Sequence, residues 1–427
     1  MSKLNQRSRD AASWLVQEST FGTDPGSPTQ IYPVADSVEV KTTRDALEND
    51  ELRTDLYDGQ KTVHGLRKGT LKWSQYLRVD ASMLTAAATA TTPWALLPWR
   101  LALGAEFPTS GTVTVGDTAS ASSASSVTVG DGTKFSKGTW IMPTVSSSYE
   151  PARVINIATN VLTLDPQTSA TPTAAAAAVV QMYNHAPARS FSKSFSFRHA
   201  LNGDAGLQWL ARGCKMDSVE LDLSLGAIPK ATFSASITQW GDATNLRAPY
   251  ALGYTATAGT NAMADPAVMR DCYLIIQAAT GTSAARAAHY SVESASLKLN
   301  LGTEFVPDLG GVEGRGGVMR VAGRDFARLT VKARPDFTAN ADLVDSSYWT
   351  AQTSLQAVLL VKQTYAGTAR WHVFDLPTCF VEAKPEFSNE GGRLVQTFTL
   401  RSLRSAVVTS PTEGNDFHYA PFVYAAG

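Results

Sequence analysis

Strands that alternate polar and apolar residues recur four times along this chain, each time as strand, connection and second strand. The last copy, Trp371 to Leu403, is the clearest, with a turn at Ser388 to Gly392 before its final strand. A period of two places Leu394, Phe398 and Leu400 on one face and Thr397 and Thr399 on the other. Because such a strand needs a sheet with one wet face, the chain is predicted to be mainly β and to build a wall rather than a pocket.

The other three copies suggest that the chain is internally duplicated. Each half holds two strand pairs and a helix, which predicts two tandem β units with short flanking helices. The pattern gives the following parts: a polar connection from Thr43 to Lys68, two short helices between Ala81 and Leu103, a strand with Leu221, Leu223 and Leu225 facing the helices, a flexible glycine-rich loop from Gly310 to Gly317, and a helix from Ala341 to Gln352.

Changes in composition divide the chain into four parts. Residues 1–33 read as an N-terminal arm broken by Gly and Pro, whose aromatic residues dock on something. The first unit covers residues 34–106 and 184–245, and the second covers 246–427. Between the two pieces of the first unit, residues 107–183 predict a small all-β inserted domain, closed as a barrel or sandwich, with flexible loops at Ala119 to Ser126 and Ser169 to Ala178.

The balance of charge argues against a protein that binds nucleic acid tightly. Among 427 residues, 37 Lys and Arg stand against 38 Asp and Glu, which leaves no basic footprint for phosphate. Only 18% of residues are charged, as expected where neighbouring subunits cover much of the surface. The three dispersed cysteines read as small buried hydrophobes, and no apolar run suits a signal core or a membrane span, so we expect the chain to be made and kept in the cytosol.

Three stretches, taken in order, resemble the tail tube (major tail) proteins of long-tailed phages, a fold shared with the tube of type VI secretion systems. They are Glu18 to Thr23, the strand–loop–strand from Val38 to Val79 with Gly65 and Gly69 before its return strand, and the closing hairpin from Phe374 to Leu400. Together they span the chain from Glu18 to Leu400, on both sides of the insert, and their order carries the resemblance. The resemblance implies a structural virion protein of the tail, with tail-tube-like β-sandwich or barrel-wall units.

In that family, sheets of neighbouring subunits join edge to edge into a β-barrel through which DNA passes, and long loops lock one ring to the next. Closing the ring removes open sheet edges. Because this chain holds two copies of the unit, a trimer with pseudo-sixfold symmetry is the preferred hypothesis, and a hexamer the alternative. The resemblance also implies a tape measure protein and tail terminator or tip proteins as partners, DNA that passes without specific binding, and a flexible, non-contractile tail as the simpler form.

Two sets of residues are assigned to this work. Alternation predicts a lumen face of acidic and hydroxyl side chains. Negative charge on this face would repel the phosphate backbone and keep DNA from binding. The residues assigned to it are Glu220, Asp222, Ser224, Thr397 and Thr399. The same residues on any antiparallel sheet would simply face solvent. Contacts between stacked rings are assigned to two long connections, Thr43 to Lys68 and Gly302 to Arg324, and the mixed charge of the first suits the setting of register. The residues assigned to these contacts are Arg44, Glu48, Asp50, Glu51, Arg53, Asp55, Glu313 and Arg315.

Enzymatic chemistry is not expected. The run Gly310 to Gly317 lacks the Lys-Ser/Thr that a phosphate-binding loop needs, the six histidines have no metal spacing, and no nucleophile, base and orienting group come together. We therefore predict no catalytic residues, no metal and no cofactor. The alternative function is a β-rich carbohydrate-binding or adhesin-type protein on the virion or cell surface, with the insert as its binding module. The insert could also decorate the tail exterior and touch the host surface.

Overall fold

The computed structural model describes most of the chain, with gaps. The described residues are 11–23, 25, 34–35, 38–47, 63–78, 96–107, 115–117, 119–146, 148–173, 179–181, 184–187, 193–201, 208–240, 267–279, 289–312, 315–320, 326–334, 349, 352–365, 368–383, 385–403 and 417–425. The predicted helix from Ala341 to Gln352 lies almost wholly outside them, and so does most of the stretch from Ala81 to Ala95.

The first part of the chain gives four strands and one helix. They are β1 (Ala11–Gln17), β2 (Glu39–Leu47), β3 (Val63–Tyr76), α1 (Leu97–Leu103) and β4 (Gly104–Phe107). Pro98 stands in the first turn of α1, where its missing N–H costs nothing, and Gly104 ends the helix at a φ of 88°. Trp99 and Leu101 of α1 are buried in the main core.

The insert is an antiparallel sheet of eight strands. They are β5 (Val115–Asp117), β6 (Ala119–Ser123), β7 (Ser126–Val129), β8 (Trp140–Val145), β9 (Ser148–Tyr149), β10 (Ala152–Ala158), β11 (Val161–Asp165) and β12 (Val179–Gln181), ordered β5-β12-β8-β10-β11-β7-β6 with β9 on β8. Its own core includes Val127, Phe135, Val154, Leu162 and Leu164. The described strands of this part form a sheet separate from the main one, and their pairings run as an open path, whereas closure as a barrel or sandwich was expected.

The chain then returns to the main sheet and completes it. The strands are β13 (Asn184–Pro187), β14 (Phe195–Leu201), β15 (Gln208–Ser224), β16 (Lys230–Ile237), β17 (Gln239–Trp240), β18 (Met269–Ala278), β19 (His289–Asn300), β20 (Thr303–Val312), β21 (Arg315–Arg320), β22 (Ala327–Ala333), β23 (Leu355–Tyr365), β24 (Thr368–Val381), β25 (Glu386–Glu390), β26 (Arg393–Ser402) and β27 (His418–Ala425). All belong to one sheet of 17 strands except β20 and β21, which form a hairpin of their own. The protein is mainly β, with large, curled antiparallel sheets.

The two halves of the chain pair their strands in the same order. In the first half β1 pairs β14, then β15, β16, β3 and β2 follow in turn. In the second half β18 pairs β23, then β24, β26, β22 and β19 follow, and β19 returns to β18 and closes the circuit. We call these six-strand sets the first unit and the second unit.

The irregularities of the two units also coincide. In the first, the register of β14 and β15 shifts between the pairs Phe195–Cys214 and Phe197–Ala211. In the second, that of β23 and β24 shifts in the same sense, between Leu355–Cys379 and Ala357–Leu376. The shared bulge makes Phe195 equivalent to Leu355, so their partners Cys214 and Cys379 are equivalent too. Both cysteines are buried and free.

Backbone contacts at the unit borders repeat as well. The amide of Glu18, just past β1, donates to the carbonyl of Ser194 (2.9 Å), and that of Ala279, just past β18, donates to Ser354 (3.2 Å). Both acceptors lie one residue before the strand that pairs with the donor's strand. The agreement of order, bulge and flanking bonds fixes a residue-by-residue correspondence between the units.

Several expectations from the sequence were wrong. Residues 11–17 of the supposed arm form β1, and Trp14 is buried. The hairpin β2–β3 extends well into the stretch from Thr43 to Lys68, and β20–β21 occupies most of the supposed loop from Gly310 to Gly317. Ala119 to Ser123 is a strand. Of the two helices expected between Ala81 and Leu103, the second is α1, and the first would lie outside the described residues. Leu225 lies in a turn and is 54% exposed, and Leu394 is exposed too.

Candidate functional site: the polar face and the edges of the long sheet

A single run of eight strands crosses both units. Strand β15 of the first unit pairs along Ser218 to Ser224 with β19 of the second, which continues the sheet as β2-β3-β16-β15-β19-β22-β26-β25. Its inner face is apolar, since Leu221, Leu223, Leu297 and Leu299 are at most 1% exposed. We call this run the long sheet and its other side the polar face.

All five residues that alternation assigned to the lumen lie on the polar face. Directly opposed residues of antiparallel strands point the same way, and the register aligns Asp222, Ser296, Thr330 and Thr399 as one row across four strands. Glu220 and Ser224 stand two residues from Asp222 on β15, and Thr397 stands two residues from Thr399 on β26. Alternation therefore placed all five residues on one face of the sheet, and strand pairing brings them together.

Hydroxyl groups on this face bond to one another across strands. The Thr330 and Thr399 hydroxyls are 3.1 Å apart, those of Ser74 and Thr232 3.0 Å apart, and the Ser296 hydroxyl donates to Asp222 at 3.2 Å. Hydroxyl groups satisfied in this way hold less strongly to a passing ligand than free ones.

Four ion pairs lie along the polar face, so the acidic side chains expected there stand beside basic ones. Lys298 donates to Glu220 at 2.7 Å, Arg328 to Glu382 at 2.7 Å, Lys332 to Glu390 at 2.5 Å and Arg334 to Glu293 at 2.8 Å. The basic partners stand on β19 and β22, so only strand register reveals them. The face is balanced rather than acidic.

The long sheet ends in two strands without a further partner among the described residues. At one end, β2 is paired only to β3. At the other, β25 is paired only to β26 through a two-residue turn, Gly391-Gly392, with φ of 57° and 80°. All five residues of β25 are exposed, and Phe387 is 48% exposed. Such open edges are sites where a second strand adds.

Two hairpins at equivalent points of the two units carry the connections assigned to ring stacking. Strands β2 and β3 are joined by the first connection, and β20–β21 lies in the second, between β19 and β22. Arg44 lies in β2 opposite Arg67, and Arg315 lies in β21. Glu48, Asp50, Glu51, Arg53, Asp55 and Glu313 lie outside the described residues.

A buried polar cluster fastens the insert to the second unit, and no pattern in the sequence indicated it. The Arg153 guanidinium on β10 donates to Asp375 on β24 (3.0 Å) and to Asp165 (3.2 Å), and the Trp140 indole also donates to Asp375 (3.0 Å). Gln277 on β18 donates to Asp165 (2.9 Å). Arg153 and Asp375 are at most 1% exposed.

Burial controls the protonation of this cluster and of its neighbours. It raises the pKa of Asp375, against the opposing pull of Arg153 and of the hydrogen bonds from Gln356 and Trp140. Burial lowers the pKa of His372 to about 3, so this imidazole is neutral. It lies between the Tyr419 hydroxyl (3.0 Å) and the Gln363 side chain (3.1 Å) as part of the core.

Glu18 plays a similar structural role at the start of the chain. Its buried carboxylate accepts hydrogen bonds from the Gly22 and Gly213 amides and from the Ser194 and Ser196 hydroxyls, all within 2.9 Å. The segment Glu18 to Thr23 is therefore a turn that holds β1 against β14 and β15.

Within the described residues, no three His, Cys, Asp or Glu side chains come together as metal ligands. No helix of the described part is both long and apolar enough to cross a membrane. No protein-family model matches the chain, and no curated protein matches it.

Proposed function

We propose that the chain is the subunit of a hollow tube, built as stacked rings like the tails of long-tailed phages, through which DNA is delivered. The observation that carries this proposal is the long sheet, which has one apolar face packed on the core, one charge-balanced polar face and two open edges. A wall segment of a larger barrel needs these three properties together.

The open edges support assembly because a sheet edge displays unpaired N–H and C=O groups. A contact between β25 and β2 of two chains joins different surfaces, and such head-to-tail contacts close into rings when the rotation allows. Three chains supply 24 strands, which at about 4.8 Å each give a circumference of roughly 115 Å before strand tilt widens it. A trimer is thus large enough to enclose a lumen, and a hexamer is the alternative.

The polar face supports passage without binding. Paired charges and mutually bonded hydroxyl groups leave few groups free to bond phosphate, and a balanced surface gives no field that would retain a polyanion. Glu220, Asp222, Ser224, Thr397 and Thr399 would line the lumen. The insert, docked on β18, β23 and β24, would project from the outside of the tube, where it could meet a host surface.

Electron microscopy of the purified chain in negative stain tests the proposal. We expect rings and long hollow tubes whose abundance rises with protein concentration. Isolated particles at every concentration would refute the tube and favour the carbohydrate-binding or adhesin alternative, which expects an aromatic platform on the insert. In the described part of the insert, Phe135 and Trp140 are buried.

A further inference from the structure

We propose that the junction of the two units inside one chain is the template for the junction between chains, and that it fixes which residues meet. Strand β25 of one chain would pair with β2 of the next, antiparallel, with Glu386 opposite Lys41 and Phe387 opposite Val40. This inference rests on the proposed tube, since it names the partner and the register of the ring contact.

The argument begins with the strands that correspond. By pairing order, β2 of the first unit is equivalent to β19 of the second. The second half of β15, which pairs with β16, is equivalent to the end of β24 followed by β25, which pair with β26. Within the chain, β15 pairs with β19, while their counterparts β25 and β2 have no such partner among the described residues. Each chain thus contains this contact once as a formed pair, β15 with β19, which we call the filled junction. It also contains the two equivalent strands, β25 and β2, unpaired with each other, which we call the open halves.

The register follows from counting along paired residues. Thr232 of β16 and Thr397 of β26 are equivalent, and they lie opposite Glu220 and Glu386. Leu71 of β3 and Leu329 of β22 are equivalent, and they lie opposite Val40 and Leu297, so Lys41 corresponds to Lys298. Since Glu220 is opposite Lys298 in the filled junction, Glu386 should be opposite Lys41 in the open one.

The chemistry of the open halves agrees with this register. The filled junction contains the ion pair of Glu220 and Lys298, and the same two residue types recur as Glu386 and Lys41. Lys41 is 68% exposed and now contacts Glu39 on its own strand. A pair of opposite charges at this position would favour this register over slipped ones.

Burial on the other face points the same way. In the filled junction Leu221 and Leu297 lie opposite each other and are at most 1% exposed. Their counterparts are Phe387, 48% exposed, and Val40, half-buried at the rim of the core. Covering an exposed aromatic ring by a neighbouring strand is favourable, which gives the contact a hydrophobic component that the ion pair lacks.

Disulfide trapping tests the register in the full chain. We expect the double variant Glu386→Cys with Lys41→Cys to form intermolecular disulfides on mild oxidation and to give, on a non-reducing gel, ring-linked species that end at the trimer. The native cysteines are buried and free. The matched control, Glu390→Cys with Lys41→Cys, shifts one cysteine four residues, about 13 Å, along the strand and should cross-link at least tenfold more slowly.

Charge reversal gives an independent measurement. Glu386→Lys and Lys41→Glu should each reduce the fraction assembled in sedimentation, and the double reversal should restore it. Rings that form without the designed cross-link, or that link equally in the control, would overturn the register and leave the tube intact. If the unmodified chain forms no rings at all, the inference fails together with the proposed function.

Discussion

At the scale of single residues, two buried polar side chains of the described part, Arg153 and Glu18, hold separate elements together. Arg153 is the cation between two carboxylates that come from the insert and from the second unit, and Glu18 joins the turn after β1 to β14 and β15. Removing one member of such a cluster leaves the remaining charges buried without a partner or water. The loss of stability that results is larger than the net stability that the intact cluster provides.

Arg153→Ala should therefore lower the free energy of unfolding by roughly 3–5 kcal/mol, because Asp375 and Asp165 lose their buried cation. Urea denaturation measures the change, and hydrogen exchange should show faster opening of β8 and β10. Lys134→Ala is the control, since Lys134 is exposed on the same insert and should change stability by less than about 0.5 kcal/mol. Equal stability of the two variants would contradict a fastening role for Arg153.

At the scale of elements, the hairpin β20–β21 differs from the other strands because it belongs to neither large sheet. Thr303 at its base bonds to Asp217 through its amide (3.1 Å) and hydroxyl (2.8 Å), which fixes where the hairpin leaves the long sheet. A lone two-stranded hairpin is marginally stable in water, so it needs another surface to pack on. A neighbouring ring offers that surface in the proposed tube.

Deleting Gly310 to Gly317 should leave soluble rings that no longer stack, because the tip of this hairpin is lost while the long sheet is intact. Electron microscopy and sedimentation distinguish rings from tubes. The double variant Glu313→Ala with Arg315→Ala keeps the hairpin length and separates the effect of charge from that of reach. Full-length tubes from the deletion variant would show that stacking does not use this hairpin.

At the scale of the whole molecule, the two units of one chain are joined by the pairing of β15 with β19. In the proposed tube, this junction within the chain would take the place of one contact between chains. A ring of a given strand number would then need half as many associations, each of which costs translational and rotational freedom. The second unit also closes its own circuit of six strands, and the long sheet, which runs from the first unit into the second, ends in two open edges, β2 and β25.

A ring isolated from tubes under mild conditions should have three times the 45.6 kDa mass of the chain. The physical reason is that eight wall strands per chain supply 24 strands from three copies. Native mass spectrometry measures this directly, and a ring of six chains would refute the trimer while preserving the wall.

The sequence by itself determined the mainly β class, the all-β insert, the repeated strand pairs and the face to which Glu220, Asp222, Ser224, Thr397 and Thr399 belong. These features are local, because a period of two fixes which side of a strand each residue occupies. Only the tertiary structure decided that β1 joins the sheet, that Lys298 neutralises Glu220, that Arg153 reaches Asp375 and that β25 and β2 lie at the open edges. Partners more than 70 residues apart are set by strand register and packing, which no short window of sequence contains.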